Sequence, residues 1–441
     1  MPQSFLARPG AALSGSIRVP GDKSISHRSI MLGAIAEGTT HVTGFLEGAD
    51  AISTMNVFRA MGVQIEGPNE GRVTVHGVGL HGLKQPTVDL DCGNAGTSMR
   101  LLSGLLAGQG FAATLVGDES LSTRPMRRVI DPLTQMGAKI DSNEGRPPLR
   151  IHPVSRLTGI SYDMPMASAQ VKSSLMLAGL YAQGETRVTE PAPTRDHTER
   201  MLTAFGVKVD VNGPTVSVRG GQTLKATDID VPSDISSAAF FLVAGAIARQ
   251  SDVIVRHVGV NPTRTGIIDI LRLMGAQLTL ENPRTVGGEP VADLRVRTSQ
   301  LKGIEVPPEL VPLAIDEFPI LFIAAACAHG RTVVTGAEEL RVKESDRIAV
   351  MAEGLKRLGI DCTPTEDGMI IEGRGEHQHV FAGGEVDSHG DHRPAMSFAV
   401  ASLRASSPIR IQNTLNVGTS FPNFLELAKA VGIDVDRVDS Q

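Results

Sequence analysis

The 441-residue chain has no tryptophan and only two tyrosines, and its acidic side chains outnumber Lys and Arg by 48 to 42, for a net charge of −6. A nucleic-acid surface wants a basic face and stacking aromatics, so the composition argues against that partner. Cysteine is scarce too. Cys92, Cys327 and Cys362 are odd in number, widely spaced and form no C-x-x-C pair, which predicts reduced thiols in a cytosolic protein. Long apolar runs are also missing: the longest, Ile235 to Ala248, falls short of the roughly 18 residues a membrane span requires. The first residues hold no apolar core of about 7–15 residues, as a signal peptide would. A soluble, cytoplasmic protein with small-molecule partners, no nucleic acid and no membrane is therefore expected. What is plentiful is turn chemistry, 47 Gly and 26 Pro, in a chain long enough for two or three domains.

A repeat dominates the remainder. A helical stripe ends in a glycine and re-enters as a strand six times, at Gly62, Gly137, Gly206, Gly275, Gly359 and Gly432, spaced 75, 69, 69, 84 and 73 residues apart. Ile267, Ile270, Leu271 and Met274 show the i, i+3, i+4, i+7 spacing of one such stripe, and the glycine is expected to close each helix in a left-handed cap. Each unit also contains a helix apolar nearly all round: Ser29 to Glu37, Ser98 to Ala107, Val171 to Ala182, Ser236 to Ala248, Glu317 to Ala328 and Ala395 to Ala405. A helix without a polar face is buried, so these six belong in cores. The first and last copies are as apolar as the middle ones, which excludes a capped solenoid and favours two closed groups of three. Val19-Pro-Gly-Asp22 and Val231-Pro-Ser-Asp234 are near-copies about 210 residues apart and read as two crossings of one two-stranded hinge. The expected domains are 22–234, and 1–21 together with 235–441.

Polar residues collect where the greasy helices begin. Arg18 to Arg28 runs as a short strand, a Pro20-Gly21 turn, then Lys23, Ser24 and Arg28 at a helix mouth, which suits an anion. The Walker pattern G-x-x-x-x-G-K-[ST] is absent, since the residues before Lys23 are Val19-Pro-Gly-Asp22. The other openings are Gly93 to Arg100, Ser168 to Lys172, Ser233 to Ser236, Asp316 to Pro319 and Gly390 to Pro394, and further cations lie in loops at Arg124, Arg195, Lys343 and Arg347. Pseudo-symmetric helix starts should converge on one cleft between the two domains, basic within an acidic protein, and so focus small polyanions. Asp316 and Glu344 stand among these cations as a pair suited to proton transfer. The plainer alternatives are that Asp316 caps its helix and Glu344 pairs with Arg347. Asp387 to His392 has ligand types for a divalent metal, but Arg393 abuts it and no distant partner offers itself, so no metal is expected. Ser168 with Asp196 and His197 could imitate a hydrolase triad, yet no G-x-S-x-G elbow exists.

Taken in order, Pro20 to Arg28, Gly93 to Thr97, Arg124-Pro-Met126, Ser168 to Ser173, Thr194 to Glu199, Arg341 to Arg347 and Asp391-His-Arg393 closely resemble the enolpyruvyl transferase family, and within it the 5-enolpyruvylshikimate-3-phosphate synthases. The resemblance implies two inside-out, barrel-like α/β domains, each of three βαβαββ repeats. It also implies transfer of the enolpyruvyl group of phosphoenolpyruvate to the 5-hydroxyl of shikimate 3-phosphate. That is a step of the shikimate pathway toward chorismate and the aromatic amino acids, run by a monomer without cofactor. Carried over motif by motif, Lys23, Ser24, Arg28, Ser168, Ala169, Gln170, Arg195, Asp316 and Lys343 would hold shikimate 3-phosphate. Lys23, Gly96, Arg124, Gln170, Arg347 and Arg393 would hold phosphoenolpyruvate. Asp316 would be the base, Glu344 would move a proton at the methylene carbon, Lys23 would serve catalysis, and His392 would support the others. Leu340, Pro394, the Lys-less Thr419 to Pro422 and the Thr194 to Thr198 motif depart from the better-known branch and resemble a second, often glyphosate-tolerant one. Gly96, in contrast, is the small residue that leaves room for that inhibitor in the first branch. The nearest rival of the same fold, the UDP-N-acetylglucosamine enolpyruvyl transferases, carries a reactive Cys before Arg-Pro, and Gly117 to Thr123 has none. A non-catalytic phosphometabolite-binding protein would keep the cations but could dispense with Asp316 and Glu344.

Overall fold

The computed structural model describes residues 3–10 and 12–439; Met1, Pro2, Ala11, Ser440 and Gln441, which fall in the expected span 1–21 plus 235–441, lie outside them. Six helices match the apolar stretches, and we label them α1 (Lys23–Ile35), α2 (Gly96–Ala107), α3 (Ala169–Gly179), α4 (Ile235–Ile247), α5 (Phe318–Ala326) and α6 (His392–Ala401). Every residue of α4 and α5 is buried, which an unbroken apolar surface requires. α1 begins six residues before its expected start because Asp22 accepts the Ile25 N–H at 2.9 Å and caps it. Lys23, Ser24 and Arg28 therefore lie on the first two turns rather than in a preceding loop. The tight entry is explained by Gly21, where a Cβ would stand 1.9 Å from the Gly44 carbonyl oxygen.

The amphipathic helices end as their glycines demand. All six glycines have positive φ, from 83° to 106°. At each, the glycine N–H and the following N–H turn back on the last helical carbonyls, as in Gly206 N to Thr203 O at 3.0 Å and Val207 N to Leu202 O at 2.9 Å. This double bond set satisfies carbonyls the helix would otherwise leave open.

The sheets repeat as well. After α1, strand Glu37–Thr43 pairs antiparallel with Arg72–Val78, which pairs with Gln64–Asn69, while Ile229–Asp230 lies parallel on the other side of Glu37–Thr43. The same order recurs in the sheets that follow α2 to α6. Each unit thus ends in a hairpin, one strand more than the periodicity alone showed and the count the family resemblance implied. The sheet after α5 has three named strands, with Lys302 and Glu305 bridging in parallel at the fourth position. In the sheet after α6 the place of the final hairpin strand is taken by Gln3–Ala7, between Ile409–Gln412 and Val435–Asp439.

The chain divides into two compact units, Met1–Pro20 with Pro232–Thr285 and Glu289–Gln441, and Gly21–Val231 with Val286–Gly288. Each has its own apolar core. The first gathers α4, α5 and α6, with Phe241, Phe421 and Phe424 in mutual ring contact; the second gathers α1, α2 and α3. No helix among the described residues is long and apolar enough to cross a membrane.

Candidate active site

In the unit Gly21–Val231 the first two turns of the three core helices are joined by side chains. His27 of α1 meets Ser98 of α2 at 3.2 Å, Gln170 of α3 donates to Thr97 of α2 at 2.9 Å, and Arg28 of α1 donates to Ser173 of α3 at 2.9 Å. Three helix starts carrying partial positive charge are thereby held together, and cations stand among them. Lys23 Nζ lies 2.9 Å from Asp50 Oδ2, an acid at the start of the next helix. Arg28 is nearly buried and also donates to Thr198 Oγ1 at 2.7 Å and the Ser24 carbonyl at 2.9 Å. Arg124 is oriented by Asn94 Oδ1 at 2.8 Å and Ser120 Oγ at 3.1 Å. Gly96 opens α2 between two guanidinium groups: a Cβ there would lie 3.1 Å from Arg100 and 3.3 Å from Arg124. Ser168 caps α3 by accepting from Val171 N–H, so its hydroxyl serves the helix rather than a triad. Arg195 is half-buried in the segment between strand Glu185–Thr189 and helix His197–Ala204.

Burial holds His27 neutral, its pKa pushed down to about 3, with Lys23 and Arg28 adding to the effect and Asp50 opposing it. Its Nδ1 pairs with Thr54 Oγ1 at 2.8 Å. It is a structural tie beneath the cations.

The other unit carries the carboxylates. Asp316 lies in a 3-10 turn, Pro312–Glu317, ahead of α5 and does not cap it; the cap position is Glu317. Asp316 Oδ1 instead lies 3.5 Å from Lys343 Nζ and 3.4 Å from Arg347. Glu344 approaches Arg347 at 2.6 Å, as the plain ion-pair alternative anticipated, and Asp391 takes its Nε at 2.9 Å. Arg347 is only 1 % exposed, so one fully buried guanidinium is shared by three acids. Burial works against its charge, but Asp391, Glu344 and Asp316 outweigh that and raise its pKa above the ordinary arginine value. Asp391 is correspondingly held below the usual carboxylate range, Arg347 overcoming the opposing effect of burial. Arg393 donates to the Asp316 carbonyl at 2.9 Å. His392 is buried, 3.7 Å from Asp391.

Several partners carried no sequence signal of their own. Asp50 is one acid in the first turn of an amphipathic helix, and only the fold sets it on Lys23. Arg100 and Asn94 stood inside the Gly93 to Arg100 motif but had no assigned task; Arg100 donates to Gln170 Oε1 at 2.7 Å, orienting it. Asp391 reads as a possible metal ligand, and the structure commits it to Arg347 and to Ser345 Oγ at 2.9 Å. Among the described residues no three His, Cys, Asp or Glu side chains are grouped to hold a metal ion. Pro394 falls in the first turn of α6, where an N–H has no intrahelical partner to lose.

Residues 7–427 match the family model of EPSP synthase, 3-phosphoshikimate 1-carboxyvinyltransferase. The chain is 65% identical over 433 residues to a protein of Methylococcus capsulatus named 3-phosphoshikimate 1-carboxyvinyltransferase, covering 98% of each chain. It is 64% identical over 438 residues to one of the same name from Alkalilimnicola ehrlichii, covering 99% of this chain and 97% of that one. A solved structure of EPSP synthase from Acinetobacter baumannii superposes with a TM-score of 0.90 at 61% identity, covering 99% of this chain and 100% of the other. With the core-helix starts, the cations upon them and the shared acids of Arg347 all falling inside the matched span, the chain belongs to the EPSP synthase family.

Proposed function

We propose that this enzyme transfers the carboxyvinyl group of phosphoenolpyruvate to the 5-hydroxyl of shikimate 3-phosphate and releases phosphate. The observation that carries the chemistry is the placement of Asp316 and Glu344 on one buried Arg347, with Lys343 beside Asp316. An arriving polyanion competes for the guanidinium and raises the proton affinity of both acids, which is what a general base and a general acid need.

The steps then balance without a redox group or a covalent enzyme adduct. Glu344 delivers a proton to the methylene carbon, C2 becomes electrophilic, and the hydroxyl adds as Asp316 takes its proton. The tetrahedral ketal phosphate then collapses as Glu344 takes a proton back from the methyl group and the C–O bond to phosphate breaks, which restores the vinyl group; the proton held by Asp316 leaves with the phosphate, and both acids return to their starting states. Lys23, Arg124, Arg347 and Arg393 stabilise the phosphate and carboxylate of phosphoenolpyruvate, with Gly96 and Gln170 beside them. Lys23, Ser24, Arg28, Ser168, Ala169, Gln170, Arg195, Asp316 and Lys343 hold the acceptor, and His392 is a supporting residue beside Asp391. The reading calls for no metal or organic cofactor, and for a monomeric, cytoplasmic enzyme that engages neither nucleic acid nor membrane. The acidic balance of the chain speaks against a nucleic-acid partner, and no helix among the described residues is long and apolar enough to cross a membrane.

The test is phosphate release from the purified protein given both substrates, with UDP-N-acetylglucosamine offered as a competing acceptor. Release that requires shikimate 3-phosphate and ignores the sugar nucleotide is expected; release with the sugar nucleotide alone would refute the assignment.

A further inference from the structure

Lys172 is a lysine with 2 % of its side chain exposed, at the fourth residue of α3. A cation in a first helical turn opposes the positive end of the helix, and burying an ammonium carries a desolvation penalty of several kcal/mol. Neither the helix nor the core accounts for it. Its partners do: Nζ lies 2.7 Å from Glu199 Oε1 and 3.2 Å from Glu190 Oε2. These two acids bracket the segment that carries Arg195. Glu190 directly follows strand Glu185–Thr189, and Glu199 is in the first turn of helix His197–Ala204. The same segment is pinned at three further points. Thr194 donates to Glu190 Oε2 at 2.5 Å, Arg200 Nε holds Asp196 at 2.9 Å, and Thr198 Oγ1 meets Ser173 of α3 at 2.7 Å and Arg28 at 2.7 Å. Pro191 and Pro193 stiffen what lies between.

We propose that Lys172 with Glu190 and Glu199 is a positioning device that fixes the 190–199 segment on α3 and so aims Arg195 at the phosphate of the acceptor. The device acts through Arg195 and touches neither substrate. It makes the enzyme selective for a phosphorylated acceptor by ordering the cation before binding, so that less ordering remains to oppose association. It rests on the assignment of Arg195 to shikimate 3-phosphate made above.

The experiment is calorimetric binding of shikimate 3-phosphate to the full chain and to its Lys172→Met, Glu190→Gln, Arg195→Ala and Lys172→Met/Arg195→Ala variants, with KM measured for both substrates. Lys172→Met should weaken acceptor binding by roughly tenfold or more and leave the KM of phosphoenolpyruvate within about threefold, because Arg195, and Arg28 held by Thr198, are assigned to the acceptor alone. Two substitutions that act through one contact are not additive, so the double variant should bind no more than about threefold worse than Arg195→Ala. Lys172→Arg should recover most of the affinity. Should Lys172→Met fold poorly, Glu190→Gln, at a less buried position, carries the same prediction with a smaller loss. Full additivity, or equal losses for both substrates, would overturn the proposal and leave the assignment of Arg195 standing. Unchanged acceptor affinity in Arg195→Ala would remove that assignment and the proposal with it.

Discussion

Asp316 is the residue on which most depends, because its carboxylate has two cations and no cap to serve. Asp316→Ala should still bind shikimate 3-phosphate, yet its turnover should fall by about 10²–10⁴-fold, the usual contribution of a positioned acid or base. Stopped phosphate release with calorimetric binding checks both halves, and near-normal turnover would remove it as the base. Lys23→Ala should weaken both substrates, since the ammonium is proposed to lie on two polyanions. A charge-assisted bond worth about 1.5–3 kcal/mol predicts roughly 10- to 150-fold in each KM. His27 gives a pH dependence. Its folded pKa is depressed to about 3, with burial the largest cause. The unfolded chain gains this proton as pH falls through about 6.5 while the folded chain refuses it, so stability drops between about pH 6.5 and pH 3, by up to about 1.4 kcal/mol per unit. Urea denaturation across that window should show a flatter slope for His27→Gln than for the parent chain. Equal slopes would mean that His27 is protonated in both states.

At the scale of elements, the helix stops were written into the sequence and the helix starts only partly. Six glycines after amphipathic stripes mark six left-handed caps because few other residues adopt positive φ cheaply. Gly206 isolates this effect: its φ is 83° and a Cβ would meet nothing within 4 Å. Gly206→Ala should therefore lower stability by about 1–2 kcal/mol with turnover unchanged at assay temperature, as thermal denaturation beside a rate assay can measure. A far larger loss would place packing, not backbone geometry, at that cap. The N-terminal bounds were less legible. Asp22, Ser168, Asp234 and Asp391 cap four of the core helices through side chains, whereas α2 and α5 begin at Ala95 and Glu317 without such a bond. A helix whose first turn is satisfied by neighbours leaves no mark in its own letters.

For the molecule as a whole, strand Gln3–Ala7 is an interior strand of the last sheet although it comes first in the chain. Phe5 within it is buried and stacks on Phe424. Deleting residues 3–7 should expose two strand edges and part of a core, and the protein should be recovered insoluble or unfold at markedly lower denaturant. Deleting 435–439, an edge strand of the same sheet, should be milder. Comparison of solubility and urea midpoints decides it, and equal outcomes would contradict the strand order.

Periodicity and punctuation sufficed for the number of repeats, the burial of six helices and the loops rich in cations, since these depend on local spacing and on residues that permit only one backbone shape. Which acid meets which base was a different matter. Asp50 on Lys23, Asp391 on Arg347 and Glu190 on Lys172 join residues between 18 and 44 positions apart, and a charge on a surface loop has many partners available until chain folding removes all but one. The last hairpin strand is hidden for the same reason. Its sequence lies more than four hundred residues from the strands it pairs with, and hydrogen bonds between backbones carry no signature of the side chains that flank them.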